Sequence, residues 1–209
     1  TLKGASMARL AYIGLKQAKA QDQTHAIRLD TSSGMGAAEL FRFKSGRKIS
    51  DPVPGIFTAA GFKDITGLGS TAELVKALSA DAWVWGEGAL SIADQEKVRR
   101  DVLDMYESEY IETWKDILQD IEPVPFARNT DAMDALATFS APTSPLRGLL
   151  KVVDENTYLV KPPDPATPGA LSTVQQLGAK VLAQGRAAAG VPAALEPGKR
   201  TTDTFSQIH

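Results

Sequence analysis

The sequence predicts a mainly α-helical protein: a helical bundle with a small β-hairpin, followed by a proline-rich linker and one further C-terminal helix. Apolar residues recur at helical spacing, most clearly between Ser91 and Asp120. Alternation of apolar and polar residues, which is typical of strands, is confined to a short stretch around residues 39–49. With 43% hydrophobic and 23% charged residues, a chain of 209 residues can bury a substantial core.

The first two elements are a helix and the hairpin. Apolar residues among good helix formers predict a helix of about four turns, and they are Leu2, Leu10, Ile13 and Leu15. Residues 39–43 and 47–49 flank the turn Lys44-Ser45-Gly46, and alternation around a glycine-bearing turn predicts a β-hairpin. Pro52 and Pro54 end it, because proline cannot donate a hydrogen bond to a strand ladder.

The middle of the chain is predicted to hold a loop, a short helix and the longest helix. A loop is expected through residues 60–62 and 66–69, and a helix capped by Ser70 or Thr71 runs toward Leu78. The apolar stripe of the long helix consists of Val98, Val102, Tyr106, Tyr110 and Trp114, broadened by Leu103, Ile111, Leu118 and Ile121. Pro123 and Pro125 stop this helix.

Two further helices and a change of composition complete the chain. One helix is predicted over residues 131–139, and Ser144-Pro145 reads as an N-cap with proline at the first helical position, beginning a helix to about Tyr158. Four prolines between residues 162 and 168 predict an exposed linker, followed by an alanine-rich helix over about residues 171–189. We therefore predict a helical domain over residues 1–160, and over 161–209 the linker, this helix and the start of a following β-rich domain.

Composition argues against several kinds of site. The formal net charge of −2 provides no electrostatic reason to expect a nucleic-acid partner. Cysteine is absent, and His25 and His209 lie far apart without metal-binding spacing, so no metal site is predicted. The glycine-containing stretches do not complete a phosphate-binding loop, and no cofactor is predicted. No run of 18 apolar residues occurs, so no membrane span is expected.

The acidic residues of the long helix are the candidates for catalysis. Glu107, Glu109 and Glu112, with Asp104 one turn before Glu107, could supply the paired carboxylates of a glycoside hydrolase. A catalytic acid needs a pKa raised by burial or crowding, whereas carboxylates opposite an apolar stripe usually form a solvated face. We therefore predict no catalytic residue, and a peptidoglycan hydrolase using Glu107 or Glu109 is the alternative.

The aromatic residues are interpreted mainly as core. This applies to Trp83 and Trp85 beside Gly86, and to Tyr106, Tyr110 and Trp114. They are expected to fill the space where helices cross, with their N–H and O–H groups bonded to nearby backbone. Phe57 and Phe62, in the glycine-rich loop, and Phe205 are expected to be exposed. Phe57 and Phe62 are candidate contacts for a partner protein.

Four short motifs follow one another along the chain. The first two are Pro54-Gly55-Ile56-Phe57-Thr58 with Gly61-Phe62, and Trp83-Val84-Trp85-Gly86. The others are Arg100, Tyr106, Tyr110-Ile111 and Trp114 on the long helix, and Ser144-Pro145-Leu146 with Leu149-Leu150 and Thr157. In this order the motifs are similar to the periplasmic C-terminal region of the TssM/IcmF family of type VI secretion, and together they cover about residues 1–160. Trp85 departs from the pattern, because an aliphatic residue is commoner there.

The resemblance implies a non-enzymatic scaffold. Family members are anchored in the inner membrane and project this region into the periplasm. They bind the outer-membrane lipoprotein TssJ, chiefly through a β-rich domain that follows, and assemble with TssL and other TssM copies. The matching residues set turns and pack helices, and none is an obvious acid, base or nucleophile. A docking module that recruits a peptidoglycan-cleaving enzyme is a further alternative.

Overall fold

The structure, a computed structural model, describes residues 2–20, 23–34, 36–67, 92–126, 128–160 and 196–209. Within these ranges it confirms the mainly α-helical fold, with eight α-helices and one two-stranded antiparallel sheet. None of the helices in these ranges is long and apolar enough to cross a bilayer. The helices predicted over residues 70–78 and 171–189, the tryptophan motif at 83–86 and the proline-rich stretch lie outside the described residues.

The eight helices are numbered in chain order. They are α1 (Leu2–Ala20), α2 (Leu29–Ser32), α3 (Ala37–Leu40), α4 (Ala59–Gly67), α5 (Ile92–Asp120), α6 (Asn129–Ser140), α7 (Pro145–Thr157) and α8 (Lys199–Thr204). The strands are β1 (Phe41–Phe43) and β2 (Ile121–Pro123), and a 3-10 helix (Gly55–Phe57) precedes α4. The predicted start of α7 is confirmed, because the Ser144 hydroxyl accepts a hydrogen bond from the backbone N–H of Leu146 at 3.2 Å.

Helix α5 is the centre of the bundle. Its buried side chains are Val98, Val102, Tyr106, Glu107, Tyr110, Ile111, Trp114 and Ile117. Helices α1 and α8 pack directly on α5, while α4 packs on the 3-10 helix and on α7. The core is thus assembled around the stripe that the sequence predicts, since a helix with an apolar face is stabilised chiefly by burying it.

The predicted hairpin is replaced by a long-range strand pair. Residues 41–43 form a strand, but their antiparallel partner is 121–123, and the expected partner at 47–49 is wrong. Lys44 and Ser45 instead bind the end of α5. Ser45 donates from its backbone N–H and its hydroxyl to the Asp120 carboxylate, at 2.8 and 2.6 Å. Local alternation cannot reveal this pairing, because the chain leaving α5 reaches β1 only in the folded protein.

The loop expected through residues 60–62 and 66–69 is wrong at 60–62 and at 66–67, because residues 59–67 form α4. Residues 68 and 69 lie outside the described ranges. Thr58 provides the start signal, since its Oγ1 accepts a hydrogen bond from the backbone N–H of Gly61 at 3.2 Å. Glycines in a sequence commonly indicate a turn, but Gly61 lies inside a helix, where it allows the backbone of α4 to approach that of Gly55 closely.

Candidate functional site

Four aromatic rings meet in the core of the described residues, and we call Phe57, Phe62, Tyr106 and Tyr110 the aromatic cluster. Their ring centroids lie 5.8–6.3 Å apart, with Tyr106 stacked on both phenylalanines and Tyr110 meeting both edge-on. All four side chains are buried. The expected exposure of Phe57 and Phe62 is therefore wrong, because α4 and the 3-10 helix turn both rings against α5.

Two aromatic residues of α5 donate hydrogen bonds to the backbone of the 3-10 helix before α4. The Tyr106 hydroxyl donates to the carbonyl oxygen of Ile56 at 2.5 Å, and the Trp114 indole N–H donates to that of Phe57 at 2.9 Å. Burial raises the pKa of Tyr106 above its ordinary range, so its hydroxyl stays a protonated donor. These bonds agree with the prediction that the aromatics bond to nearby backbone while filling the core.

Asn156 connects three helices at the edge of the aromatic cluster. Its backbone carbonyl accepts a hydrogen bond from the Tyr110 hydroxyl at 2.5 Å. Its side-chain oxygen accepts from the backbone N–H of Ala59 at 3.0 Å, and its side-chain nitrogen donates to the carbonyl of Val152 at 2.8 Å. Asn156 is not among the residues that the sequence pattern predicts for the site. The available signal was a polar amide within the apolar stripe of α7, where burial requires hydrogen-bond partners.

Glycines allow backbones to touch beside the aromatic cluster. A Cβ atom on Gly61 would lie 2.0 Å from the carbonyl oxygen of Gly55, and one on Gly55 would lie 3.1 Å from the backbone nitrogen of Ala26. A Cβ atom on Gly148 in α7 would lie 2.0 Å from the carbonyl oxygen of Ser33. The contact at Gly61 explains why the motif contains glycine there, since a side chain would force α4 away from the 3-10 helix. At Gly55 a side chain would require only a small shift of the neighbouring backbone of His25 and Ala26.

The remaining motif residues lie around this centre or outside the described ranges. Thr58, Ser144 and Pro145 are buried, Pro54 is exposed, and Leu146 is 39% exposed on the outer side of α7. Trp83, Trp85 and Gly86 lie outside the described residues. The described motif residues therefore mostly position turns and helix starts.

The candidate carboxylate Glu107 is buried, which corrects its expected place on a solvated face. Its Oε1 accepts hydrogen bonds from the backbone N–H and the hydroxyl of Thr201, at 3.0 and 3.1 Å. Next to it, Arg200 donates to the Ser108 hydroxyl at 2.7 Å. Glu107 thus holds the first turn of α8 against α5, where a carboxylate also interacts favourably with the helix dipole.

Residues 196–209 pack on the helical body. The Thr202 hydroxyl accepts hydrogen bonds from the backbone N–H groups of Leu159 and Val160, both at 3.1 Å. Phe205 is 5% exposed, so its expected exposure is wrong: the turn after α8 places the ring in the main core. A domain boundary at residue 160 stays a prediction, and these contacts include 196–209 in the packed body.

The second candidate carboxylate, Glu109, joins α1 to α5 beside a groove of about 690 Å³. It accepts hydrogen bonds from the Tyr12 hydroxyl at 2.5 Å and from the Lys16 ammonium group. Partial burial acts to raise the pKa of Glu109, but the hydrogen bonds from Lys16 and Tyr12 outweigh it and hold that pKa below its ordinary value. Glu109 is therefore stabilised as an anion, and its contacts connect two helices.

The histidines pair with carboxylates at the surface. His25 Nε2 lies 3.0 Å from Asp64, and His209 Nδ1 lies 2.8 Å from Asp154. Over the described ranges, no cluster of three or more histidine or acidic side chains could hold a metal ion.

A family model described as IcmF-related, intracellular multiplication and human macrophage-killing, matches residues 1–158. The chain belongs to the TssM/IcmF family. Its sequence is 32% identical over 162 residues to type VI secretion system component TssM1 of Pseudomonas aeruginosa strain PAO1. This alignment covers 77% of the chain and 14% of that relative, so the chain spans a small part of the relative's length. No solved structure matches significantly.

The IcmF-related match covers the whole aromatic cluster, Asn156 and the two close-packed glycines of the first motif. Residues 196–209 fall outside it, although Thr201 and Phe205 complete the same core. Among the described residues, therefore, the packed body comprises parts of the family region together with the segment 196–209.

Acidification is expected to remove the stability contributed by Glu109 in this IcmF-related chain. Its folded-state pKa lies below the ordinary value of 4.5, so the contribution is present above that value and is lost as the pH falls through the folded-state pKa. Melting temperatures measured from about pH 7 to pH 3 should fall more steeply for the wild type than for Glu109→Gln, which lacks the titrating carboxyl. Parallel curves would show that the contacts to Tyr12 and Lys16 contribute nothing.

Proposed function

We propose that this chain is a non-enzymatic scaffold module of the type VI secretion membrane complex. In this proposal it lies in the periplasm, in the region of an inner-membrane protein that connects the membrane anchor to the domain binding the outer-membrane lipoprotein. The proposal depends on one observation: the described residues of the family motif stabilise the fold. Packing and hydrogen bonds to backbone engage Tyr106, Tyr110, Trp114 and the glycines at 55 and 61.

The geometry of α5 supports a role in transmitting position. The helix has 29 residues, which corresponds to a length of about 44 Å. Side chains along it bond to other elements: Glu107 to the start of α8, Tyr110 to the end of α7, and Asp120 to the turn after β1. A long helix that is bonded to other elements at several points along its length moves together with them as one rigid body. A module that transmits position between two membranes needs this rigidity.

The proposed partners are the lipoprotein TssJ, TssL and other TssM copies. We assign the TssJ contact mainly to a β-rich domain of the parent protein that follows this region. The burial of Phe57 and Phe62 supports this division, because neither ring is exposed for a lipoprotein to contact. Strong protein interfaces are centred on apolar side chains that are accessible before binding.

The division predicts a difference between two chains titrated with TssJ. Calorimetric titration of TssJ into the 209-residue chain should show no binding tighter than about 100 µM, whereas a longer parent chain that includes the following domain should bind strongly. Circular dichroism on both chains provides the control for folding. Submicromolar binding by the 209-residue chain would contradict the proposal and move the docking surface into this module.

The non-enzymatic part of the proposal is tested separately. Glu107 and Glu109 accept hydrogen bonds from Thr201 and from Tyr12 and Lys16, and these bonds account for both carboxylates as structural links. A zymogram on purified peptidoglycan should show no clearing by this chain. Clearing by the wild type that disappears in Glu107→Gln or Glu109→Gln, with both variants folded, would favour the hydrolase instead.

A further inference from the structure

The segment 196–209, which we call the strap, binds the chain that leaves α7. The Thr202 hydroxyl accepts hydrogen bonds from the backbone N–H groups of Leu159 and Val160, both at 3.1 Å. Both residues follow α7, which ends at Thr157. The strap therefore supplies the acceptor for two backbone donors that lie beyond the last turn of that helix.

Close packing fixes the start of the strap beside the same residues. The backbone of Gly198 has a φ of +87°, and a Cβ atom there would lie 2.9 Å from that of Leu159. A turn closed by the Lys199 N–H and the Glu196 carbonyl, 3.1 Å apart, leads into α8. The two ends of residues 161–195 are therefore held close together by contacts among the described residues alone.

The contacts between the strap and α5 are polar. The Arg200 guanidinium donates to the carbonyl oxygen of Asp104 at 3.2 Å and to the hydroxyl of Ser108 at 2.7 Å. The Glu107 carboxylate accepts from the backbone N–H and the hydroxyl of Thr201. Water can take the place of the strap at each of these α5 groups, so separation of the strap leaves none of them without a partner.

The strap has one buried apolar side chain of large size. Phe205 is 5% exposed and belongs to the main core, while Ile208 packs against that core and is partly exposed. At the end of the strap, the His209 ring stacks on that of Tyr158 with the centroids 4.6 Å apart. A short segment with one buried ring and otherwise polar contacts opens at a lower free energy than a central helix such as α5, because less apolar area is exposed.

We propose that the strap docks reversibly: it separates from α5 and from the end of α7 as one unit while the rest of the body stays folded. When docked, the strap fixes the position of the chain at residue 209, whatever the length of residues 161–195. When released, it can extend over roughly 45–50 Å. The inference rests on the proposed scaffold function, in which a further domain of the parent protein follows, and it assigns the strap as the joint to that domain.

Amide hydrogen exchange, measured by NMR on the 209-residue chain, tests whether the strap opens as one unit. The N–H groups of Leu159, Val160 and Thr201 lie on both sides of the contact. They are expected to share one protection factor, at least about tenfold below that of the amides in the middle of α5. Three different protection factors, no protection, or protection equal to that of α5 would overturn the proposal.

Thr202→Val and Thr204→Val are a matched pair of variants. Both hydroxyls donate to the carbonyl oxygen four residues earlier, so the two substitutions change α8 itself in the same way. The Thr202 hydroxyl also accepts from the end of α7. Thr202→Val should therefore speed exchange of the three amides at least about tenfold, and Thr204→Val by less than about twofold. Equal effects of the two substitutions would contradict docking through Thr202.

Distances between spin labels test whether the strap fixes the position of its own end. The chain contains no cysteine, so labels attach only at Lys151→Cys on α7 and Gln207→Cys in the strap, both at exposed side chains. One narrow distance is expected. It should persist when a Gly/Ser insertion doubles the length of residues 161–195, because doubling a loop lowers the closing equilibrium only about threefold.

Release of the strap should change the same distance. Thr202→Val combined with Phe205→Ala is expected to give a broad distribution that extends to longer distances. Thr204→Val combined with Phe126→Ala makes the same changes at exposed side chains and should keep the narrow distance. Circular dichroism confirms that each variant is folded. A distance that depends on the length of residues 161–195, or one that survives the first double variant, would overturn the proposal. These measurements do not involve TssJ, so failure of the strap and failure of the scaffold function are separate results.

Discussion

Replacing Trp114 by alanine is expected to lower the free energy of unfolding by about 3–5 kcal/mol, the usual cost of removing a large buried aromatic side chain. Trp114 is fully buried, and its indole N–H donates to the carbonyl oxygen of Phe57 at 2.9 Å. The alanine variant therefore loses apolar contacts and one hydrogen bond between α5 and the 3-10 helix. For a chain of 209 residues this corresponds to a melting temperature lower by roughly 6–20 °C.

Two further variants separate the ring from its hydrogen bond. Trp114→Phe keeps an aromatic ring but leaves the Phe57 carbonyl without this donor, and should account for about 1–3 kcal/mol of the loss. Glu112→Gln changes an exposed side chain on the same helix and should alter stability by less than about 0.5 kcal/mol. Urea denaturation of all three provides the measurement. Equal stability of wild type and Trp114→Ala would show that α5 is rotated from the orientation described here.

Replacing Gly61 by alanine is expected to destabilise the chain by about 3 kcal/mol or more, the upper part of the range for overpacked cores. Its new Cβ atom would lie 2.0 Å from the carbonyl oxygen of Gly55 and 2.9 Å from that residue's carbonyl carbon. Both obstacles are backbone atoms, so α4 must move away from the 3-10 helix. Alanine is favoured over glycine in a helix by about 1 kcal/mol, which is too little to compensate.

Gly67→Ala is the matched control, because a Cβ atom there would meet nothing within 4 Å. The two substitutions are chemically identical and lie in the same helix, and propensity alone predicts a gain at Gly61 and a smaller gain at Gly67, the last helical residue. Gly67→Ala should be neutral or slightly stabilising, while Gly148→Ala should resemble Gly61→Ala, since its Cβ would lie 2.0 Å from the Ser33 carbonyl oxygen. Similar melting temperatures for Gly61→Ala and Gly67→Ala would refute the close contact between α4 and Gly55.

The sequence predicts which aromatic residues of α5 are buried, but it does not predict the distant atoms to which they donate hydrogen bonds. The four-residue spacing of Tyr106, Tyr110 and Trp114 predicts that they share one buried face of a helix. Their acceptors lie 46 to 57 residues away in sequence, and no local pattern identifies Asn156 or the Phe57 carbonyl as partners. Glu107 shows the converse error: its neighbours in sequence suggest a solvated face, and only the return of α8 buries it.

The sequence by itself determined the elements whose signals are local. The apolar period of α5, the Ser144-Pro145 start of α7 and the family motif each depend on residues within a few turns of one another. Tertiary structure alone decided that 121–123 would pair with β1, that Phe57 and Phe62 would be buried, and that Phe205 would enter the core. The physical reason is the range of the interactions: helix periodicity and capping involve near neighbours, whereas strand pairing, glycine contacts and the burial of a returning segment depend on where distant parts of the chain meet.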